Sequence, residues 1–342
     1  MKCLPKIAAL ILSVTLLAAA QSTRVEKLIQ QGQAALDGED FRHAVANFQQ
    51  AQQLAPESLE ANRGLVLSYL RAGAVREAAE AGAVAVSRWP NDPQLLHWLG
   101  LVYFKGGQNA RAQELLEQSA KSGSEHADVH FDLALVLLAQ EQYAPASQEL
   151  EQATKLDSSN ALAHVLLGRA YQNTNRTLQA IEQFRTALRL DPKTPLGHYH
   201  LGFAYSSLGR SEEAITEYER EVKQGTSNPQ VFYRFGHCLL ETGNLSVAVE
   251  NLKKSLELDP NNGDAAYDLG KASLLEGNLD LAAVSLRQAI SLKPEDPSPH
   301  YQLSRVFERQ GKTEDAKLER QRFLEIKKSQ PDTEGMATGR VQ

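Results

Sequence analysis

Residues 229–262 read PQVFYRFGHCLLETGNLSVAVENLKKSLELDPNN, and residues 263–296 read GDAAYDLGKASLLEGNLDLAAVSLRQAISLKPED. The two stretches align without a gap, so that two glycine columns and one alanine column run through both. The same 34-residue spacing extends in both directions along the chain of 342 residues. The blocks that follow one another without insertion are 25–58, 59–92, 93–126, 127–160, 161–194, 195–228, 229–262, 263–296 and 297–330. A period of this length indicates an array of repeats, each of which is one supersecondary unit.

Four columns of the block have a direct structural meaning. Position 20 is alanine in all nine blocks, position 8 is glycine in six, position 15 is glycine in six, and position 32 is proline in five. Small residues at positions 8 and 20 let two helices approach closely. Glycine at position 15 suits the left-handed residue that ends a helix, and proline at position 32 cannot continue one. Each block is therefore predicted to be a helix, a tight turn, a helix and a short turn, and stacking on its neighbours buries its apolar face.

These columns, together with aromatic residues at position 11, resemble the pattern of the tetratricopeptide repeat family over about nine-tenths of the chain. The resemblance implies an all-α fold, a right-handed superhelical solenoid of antiparallel helix pairs. It also implies a scaffolding role, although the clients of such proteins differ. The carboxylate clamp of some family members requires lysine and asparagine at positions 5 and 9 of the first repeat, where this chain has Ile29 and Gln33.

The second block departs from the pattern. Val66 stands at position 8, and Gly82 stands at position 24, where a large apolar residue normally packs. We therefore expect a packing gap at Gly82.

The N-terminus has the features of an export signal. Lys2 and Lys6 precede the apolar run 7–17, and the alanines at 18–20 form a small-residue cleavage site before Gln21. We expect this segment to be removed, so that the mature chain is exported to the periplasm or outside the cell with no membrane span. An uncleaved membrane anchor is the alternative. At the other end, residues 331–342 lack periodicity and are expected to form a disordered tail.

One face of the predicted first helices carries the candidate partner-binding residues. Positions 2, 5, 9, 12 and 13 point roughly 140° away from positions 4, 7, 8 and 11, and the resemblance implies that they line the concave surface where ligands lie. Blocks six to nine place tyrosine at position 5, which gives the tyrosine ladder of Tyr199, Tyr233, Tyr267 and Tyr301. Position 9 places cationic side chains beside it, namely Arg169, His237, Lys271 and Arg305. Blocks two to four form an apolar trough that includes Phe104 and Phe131.

Tyrosine and arginine are enriched at binding hot spots, and an aromatic groove with a cationic edge suits a peptide that carries acidic groups. The alternative is that the ladder only fills gaps between neighbouring first helices.

Composition and motifs argue against several other functions. The net charge of −6 disfavours a nucleic-acid partner. Four of the nine histidines fall at position 4, which predicts packing between repeats rather than a metal site; they are His130, His164, His198 and His300. Nucleophile, phosphate-loop and dinucleotide motifs are missing from the sequence. We therefore expect no enzyme activity, no cofactor and no metal.

The sequence thus predicts a non-enzymatic scaffold that binds a protein or peptide partner in its concave groove. Two alternatives stay open. A periplasmic chaperone or assembly factor for envelope proteins would hold many unfolded clients weakly, and a carbohydrate-binding subunit would use the tyrosines to stack on sugar rings. The oligomeric state is left open.

Overall fold

The structure, a computed structural model, describes residues 4–122 and 126–329, with side chains from residue 19 onward. These residues form α-helices joined by short turns, and no strand occurs among them, so the predicted all-α class is confirmed. They divide into two compact units, the first ending at Thr174 and the second beginning at Asn175. The predicted tail at 331–342 lies outside the described residues.

The helices follow the block pattern closely. Those of the first unit are α1 (Leu4–Asp37), α2 (Phe41–Leu54), α3 (Leu59–Arg71), α4 (Val75–Arg88), α5 (Pro93–Lys105), α6 (Asn109–Lys121), α7 (Ala127–Ala139), α8 (Tyr143–Leu156) and α9 (Ala161–Asn173). Those of the second unit are α10 (Thr177–Leu190), α11 (Gly197–Ser207), α12 (Ser211–Lys223), α13 (Pro229–Glu241), α14 (Leu245–Leu258), α15 (Gly263–Glu276), α16 (Leu279–Leu292), α17 (Ser298–Arg309) and α18 (Thr313–Ser329).

The N-terminal helix begins well before the first block. It starts at Leu4, whereas the periodicity starts at Val25. Among the helices that the structure describes, none combines the length and the apolar character needed to cross a membrane.

Within each unit, an odd-numbered helix (a first helix) packs against the even-numbered helix that follows it (a second helix). First helices also pack against each other: α1 against α3 and α3 against α5 in the first unit, α11 against α13 and α13 against α15 in the second. No pair of second helices packs comparably in the described parts of the chain. The first helices therefore lie on the inner side of each stack.

The turn between the two helices of a block always contains one left-handed residue at position 15. The nine residues are Glu39, Gly73, Gly107, Glu141, Asn175, Gly209, Gly243, Gly277 and Gly311, with φ between 57° and 95°. Six are glycine, for which this conformation carries no steric penalty. Glu39 and Glu141 adopt the same left-handed conformation although they carry a Cβ. The turn therefore has the same geometry in blocks that lack glycine at position 15.

The closest contact inside a hairpin joins the glycine at position 8 of the first helix to a large side chain at position 24 of the second. A Cβ built on Gly32 would lie 2.8 Å from the Phe48 ring, and one on Gly236 would lie 2.7 Å from Leu252 Cγ. The same contact joins Gly100 to Leu116, Gly202 to Tyr218 and Gly270 to Leu286. The position-24 side chains are fully buried, because they occupy the space that a Cβ at position 8 would take.

The expected gap at Gly82 is wrong. Gly82 is buried, and a Cβ added there would lie 2.8 Å from Cδ1 of Leu99, which reaches in from α5 of the next block. Val66, at position 8 of the same block, is itself completely buried. The small residue in the second helix is therefore matched by a neighbouring repeat that fills the space.

The position-4 histidines have polar partners in their own hairpin in three cases and in the preceding block in the fourth. Three of them bond to a glutamate 19 residues later, on the second helix of their own hairpin. The Nδ1–Oε2 distances are 2.7 Å for His130 and Glu149, 2.6 Å for His198 and Glu217, and 2.5 Å for His300 and Glu319. His164 instead has its Nε2 3.3 Å from the carbonyl oxygen of Ser158. Because position 23 lies opposite position 4 within one hairpin, these pairs satisfy polar groups that would otherwise be partly buried without partners.

The Gly82→Leu variant tests the corrected packing. Overpacking a well-filled site costs about 1–3 kcal/mol, which exceeds the roughly 1 kcal/mol gained by removing glycine from a helix interior. We expect a lower free energy of unfolding in urea. Val84→Leu, at a site on the same helix that is 61% exposed, is the control and should change stability little. A Gly82→Leu protein that is more stable than the wild type would instead support the expectation of a packing gap at Gly82.

Candidate partner-binding surface

The tyrosine ladder lies on the first helices of the second unit, one residue on each of α11, α13, α15 and α17. Tyr199, Tyr233 and Tyr267 are partly buried, whereas Tyr301 is 41% exposed. The predicted stripe therefore exists as partly covered rings, with one that is open to solvent.

Contacts with neighbouring helices explain this partial burial. The Tyr199 ring lies 6.1 Å from the Tyr218 ring of α12, and the Tyr301 ring lies 5.4 Å from the Phe323 ring of α18. Burial also raises the pKa of the Tyr267 phenol, against the opposing effect of its hydrogen bond with the Gln302 side chain on α17. Tyr199 and Tyr301 thus each pack against an aromatic ring on the second helix of their own hairpin.

The pKa of the Tyr233 phenol reflects the burial and the charges on the same face. Burial, followed by the carboxylates of Asp268 and Asp264 on α15, raises the pKa of this phenol to about 12. Tyr233 therefore remains a neutral hydrogen-bonding group at physiological pH.

The predicted cations of the second unit differ in how they are engaged. His237 bonds to Asp268 on α15, with 2.7 Å between Nδ1 and Oδ2, and this bond raises the pKa of the imidazole. Lys271 is partly buried and forms no hydrogen bond or ion pair within the part of the chain that the structure describes. Arg305 is exposed and donates from Nη1 to Oε1 of Gln302 over 3.1 Å. His237 therefore joins two first helices, while Lys271 and Arg305 keep charges that are available to a partner.

The remaining predicted residues belong to the first unit. Arg169 is exposed on α9. Phe104 and Phe131 are partly buried, and Phe104 packs against the core formed by Leu116 and its neighbours. The apolar trough of this unit is thus largely committed to packing between helices.

Two residues of the second unit were missed by the column analysis. Arg234 on α13 has its Cζ 5.0 Å from the centre of the Phe203 ring and 5.4 Å from that of Tyr233. Phe203 is at position 9 of its block and Arg234 at position 6. Position 6 shows no recurring residue type, and position 9 is phenylalanine in this block alone. A contact between these residues therefore had no signal in the sequence.

Among the residues described, no three histidine, cysteine, aspartate or glutamate side chains are grouped so that they could hold a metal ion. The first-helix face of the second unit can instead offer aromatic edges, phenol hydroxyls and unpaired cations.

A family model described as tetratricopeptide repeat matches residues 29–93, 131–177 and 233–298, which together make up just over half of the chain. The chain belongs to the tetratricopeptide repeat family. A further repeat model of this family matches residues 174–209, and a model described as anaphase-promoting complex, cyclosome, subunit 3 matches residues 71–153. Tetratricopeptide repeat proteins bind protein or peptide partners, so membership supports a role in protein interaction.

Two solved structures with TM-scores above 0.5 show the same fold, and a third structure is reported for its similarity in sequence. The C-terminal part of a TPR repeat-containing protein from Cytophaga hutchinsonii is 16% identical, with a TM-score of 0.56, over 70% of this chain and 98% of that one. The APC/C hetero-tetramer Cut9-Hcn1 is 16% identical, with a TM-score of 0.52, over 78% of this chain and 52% of that one. YrrB, described as a TPR protein with an unusual peptide-binding site, is 25% identical, with a TM-score of 0.49, over 55% of this chain and 96% of that one. No curated protein matches this chain.

The bond between His237 and Asp268 predicts a pH dependence of stability for this tetratricopeptide repeat protein. Because the folded-state pKa of His237 is raised, its contribution is fully present below the unfolded-state pKa of about 6.5 and is lost as the pH rises through the folded-state value. His237→Gln should therefore reduce the loss of unfolding free energy between pH 6 and pH 9, measured in urea.

Asp268→Asn, which removes the main cause of the shift, should flatten the same part of the curve. Parallel pH profiles for the wild type and both variants would contradict this assignment.

Proposed function

We propose that the chain is an exported, non-enzymatic scaffold that binds a protein or peptide partner along the first-helix face of its second unit. The observation that carries the proposal is the tyrosine ladder, whose rings recur once per hairpin on the inner side of the stack. Partly buried tyrosines provide a large contact area at low entropic cost and a hydroxyl for a directed hydrogen bond. Lys271 and Arg305 add positive charge that no residue of the described chain neutralises by an ion pair.

The repeat spacing suits an extended or helical segment. Tyr199, Tyr233, Tyr267 and Tyr301 are 34 residues apart in sequence, and their helices are neighbours in the stack. A partner that runs along the stack would therefore meet one ring per hairpin, with its apolar side chains against the rings and its acidic groups beside the cations.

Mutation of the ladder tests this proposal. A pulldown from an envelope extract, followed by mass spectrometry, identifies partners that the wild type captures. Tyr301→Ala should weaken binding of such a partner by about 1–2 kcal/mol with little change in melting temperature, because this ring is the most exposed of the four. Tyr267→Ala should weaken binding and also lower the melting temperature, because its ring packs against the core around Leu303. Isothermal titration and thermal unfolding measure the two effects.

Val284→Ala, at a site on second helix α16 that is 63% exposed, is the control and should leave binding unchanged. Lys271→Glu combined with Arg305→Glu should mainly slow association and change its salt dependence. If the tyrosine variants lose stability but bind partners as the wild type does, the ladder only packs between helices. Binding to an oligosaccharide array in place of protein would favour the carbohydrate-binding alternative.

Export is supported only by the N-terminal sequence and is part of the proposal. Protein produced from the full gene in a bacterial host should be recovered outside the cytoplasm, and Edman sequencing should find Gln21 or a near neighbour at its N-terminus. Purified membrane-bound protein that still begins at Met1 would instead favour an uncleaved anchor.

A further inference from the structure

The first unit contains a cavity that lies between three successive first helices, α3, α5 and α7. Its volume is about 370 Å³, which falls within the range of small-molecule sites, roughly 300–1,000 Å³. Arg63 on α3, Gln94, His97 and Trp98 on α5, and Asp128 on α7 line it. The cavity is separate from the tyrosine ladder, whose four residues all belong to the second unit.

Two hydrogen-bonded pairs hold the wall of this cavity in place. Arg63 donates to both carboxylate oxygens of Asp92, the N-cap residue of α5, with 3.1 Å between Nε and Oδ1. His97 has its Nε2 2.7 Å from Oδ2 of Asp132 on α7. The first pair links α3 to the start of α5, and the second links α5 to α7. The three helices are therefore fixed around the cavity before a ligand enters.

Three other polar side chains at the cavity have no such commitment. Gln94 and Asp128 are exposed in the first turns of α5 and α7, and His126 is exposed at the N-cap of α7. None of these side chains forms a hydrogen bond or an ion pair with another described residue. An amide and a neutral imidazole each both donate and accept, and a carboxylate accepts. The cavity thus offers donors and acceptors together.

Trp98 adds an aromatic surface to these polar groups. Its partly buried side chain packs against the cores around Leu99 and Leu95 and also lines the cavity. The face of an aromatic ring carries negative potential, which attracts polarised C–H groups, and the indole N–H is a donor. One side chain therefore supplies both an apolar contact and a directed hydrogen bond.

A neutral sugar ring matches this combination better than a charged ligand does. Because Arg63 and Asp128 both line the cavity, a cation meets the guanidinium and an anion meets the carboxylate. Each hydroxyl of a sugar can donate and accept, so several can bond to the amide, the imidazole and the carboxylate at once. The C–H groups of the sugar ring then lie against the indole of Trp98.

We propose that the cavity around Trp98 binds one ring of a neutral sugar, with Gln94 and Asp128 as hydrogen-bonding groups. The proposal goes beyond the protein-binding role and does not rest on it, since the two surfaces belong to different units. A chain with both sites can join a glycan to a protein partner.

Trp98 can itself report whether the cavity is occupied. The chain has two tryptophans, Trp89 and Trp98, so the Trp89→Phe variant of the full chain emits from Trp98 alone. Titration with glucose, galactose, mannose and N-acetylglucosamine should give a saturable change in emission for at least one of them. The protonated amino derivative and the uronic acid of the same hexose should bind about fivefold more weakly or worse, because each meets a like charge in the wall.

Substitution of the exposed polar residues tests which groups hold the sugar. In the Trp89→Phe background, Gln94→Ala and Asp128→Ala should each weaken sugar binding about three- to tenfold, as expected for the loss of one hydrogen bond. Their melting temperatures should change little, because both side chains are exposed. Gln118→Ala, at an exposed glutamine on second helix α6 of the same unit, is the matched control and should bind the sugar unchanged.

Several results would overturn the proposal. They are the absence of any response to the four neutral sugars, tighter binding of the amino or uronic acid derivative, and an affinity that is unchanged in both Gln94→Ala and Asp128→Ala. Tyr301→Ala should bind the sugar as the parent does, and loss of sugar binding in that variant would assign it to the ladder instead. Partner capture by the second unit is measured separately, so failure of either proposal leaves the other standing.

Discussion

The spacing of the helices depends on one close contact, in which the first helix has no Cβ where the second helix places a large side chain, and five hairpins show it. Phe48 on Gly32 and Leu286 on Gly270 illustrate it, with Cβ positions that would fall 2.8 and 2.5 Å from the side chain opposite. This contact brings the helices near enough to bury their small residues against each other, including the alanine at position 20. Each hairpin still exposes an apolar face, which only a neighbour can cover, so the contact within one hairpin also requires the stack.

The stacking of the first helices also determines how far the position-5 side chains are exposed on the inner surface. A position-5 side chain on one first helix extends toward the next first helix, as the influence of Asp268 on Tyr233 and the bond of Gln302 to Tyr267 indicate. Tyr301 has only α18 after it and is the most exposed of the four. Packing and binding are therefore not exclusive roles for the ladder. A ring that is wedged between hairpins is held rigidly, and its free edge is thereby oriented for a partner.

Helices and turns within one block could be predicted from the sequence, whereas the side-chain contacts below could not. The turn at position 15 was predicted from six glycines, and its geometry holds even at Glu141. The gap at Gly82 was wrong because Leu99, which fills it, belongs to the next block, and a comparison of columns within one block does not show how far a neighbour's side chain reaches. Three of the four position-4 histidines have a partner inside their own block, which was not predicted. Their glutamate partners lie 19 residues away on the second helix, and helix angles computed for one helix alone do not reveal that pairing.

Residues that vary between blocks are where a repeat protein can acquire specificity. A column that is uniform, such as the alanine at position 20, is constrained by helix spacing that every hairpin shares. Position 6 is free of that constraint, and it holds arginine in one block and aspartate in the next, Arg234 and Asp268. Asp268 bonds to His237 of the preceding first helix, whereas Arg234 contacts two aromatic rings. A variable column thus gives each hairpin its own contacts on the inner face, which a uniform column cannot do.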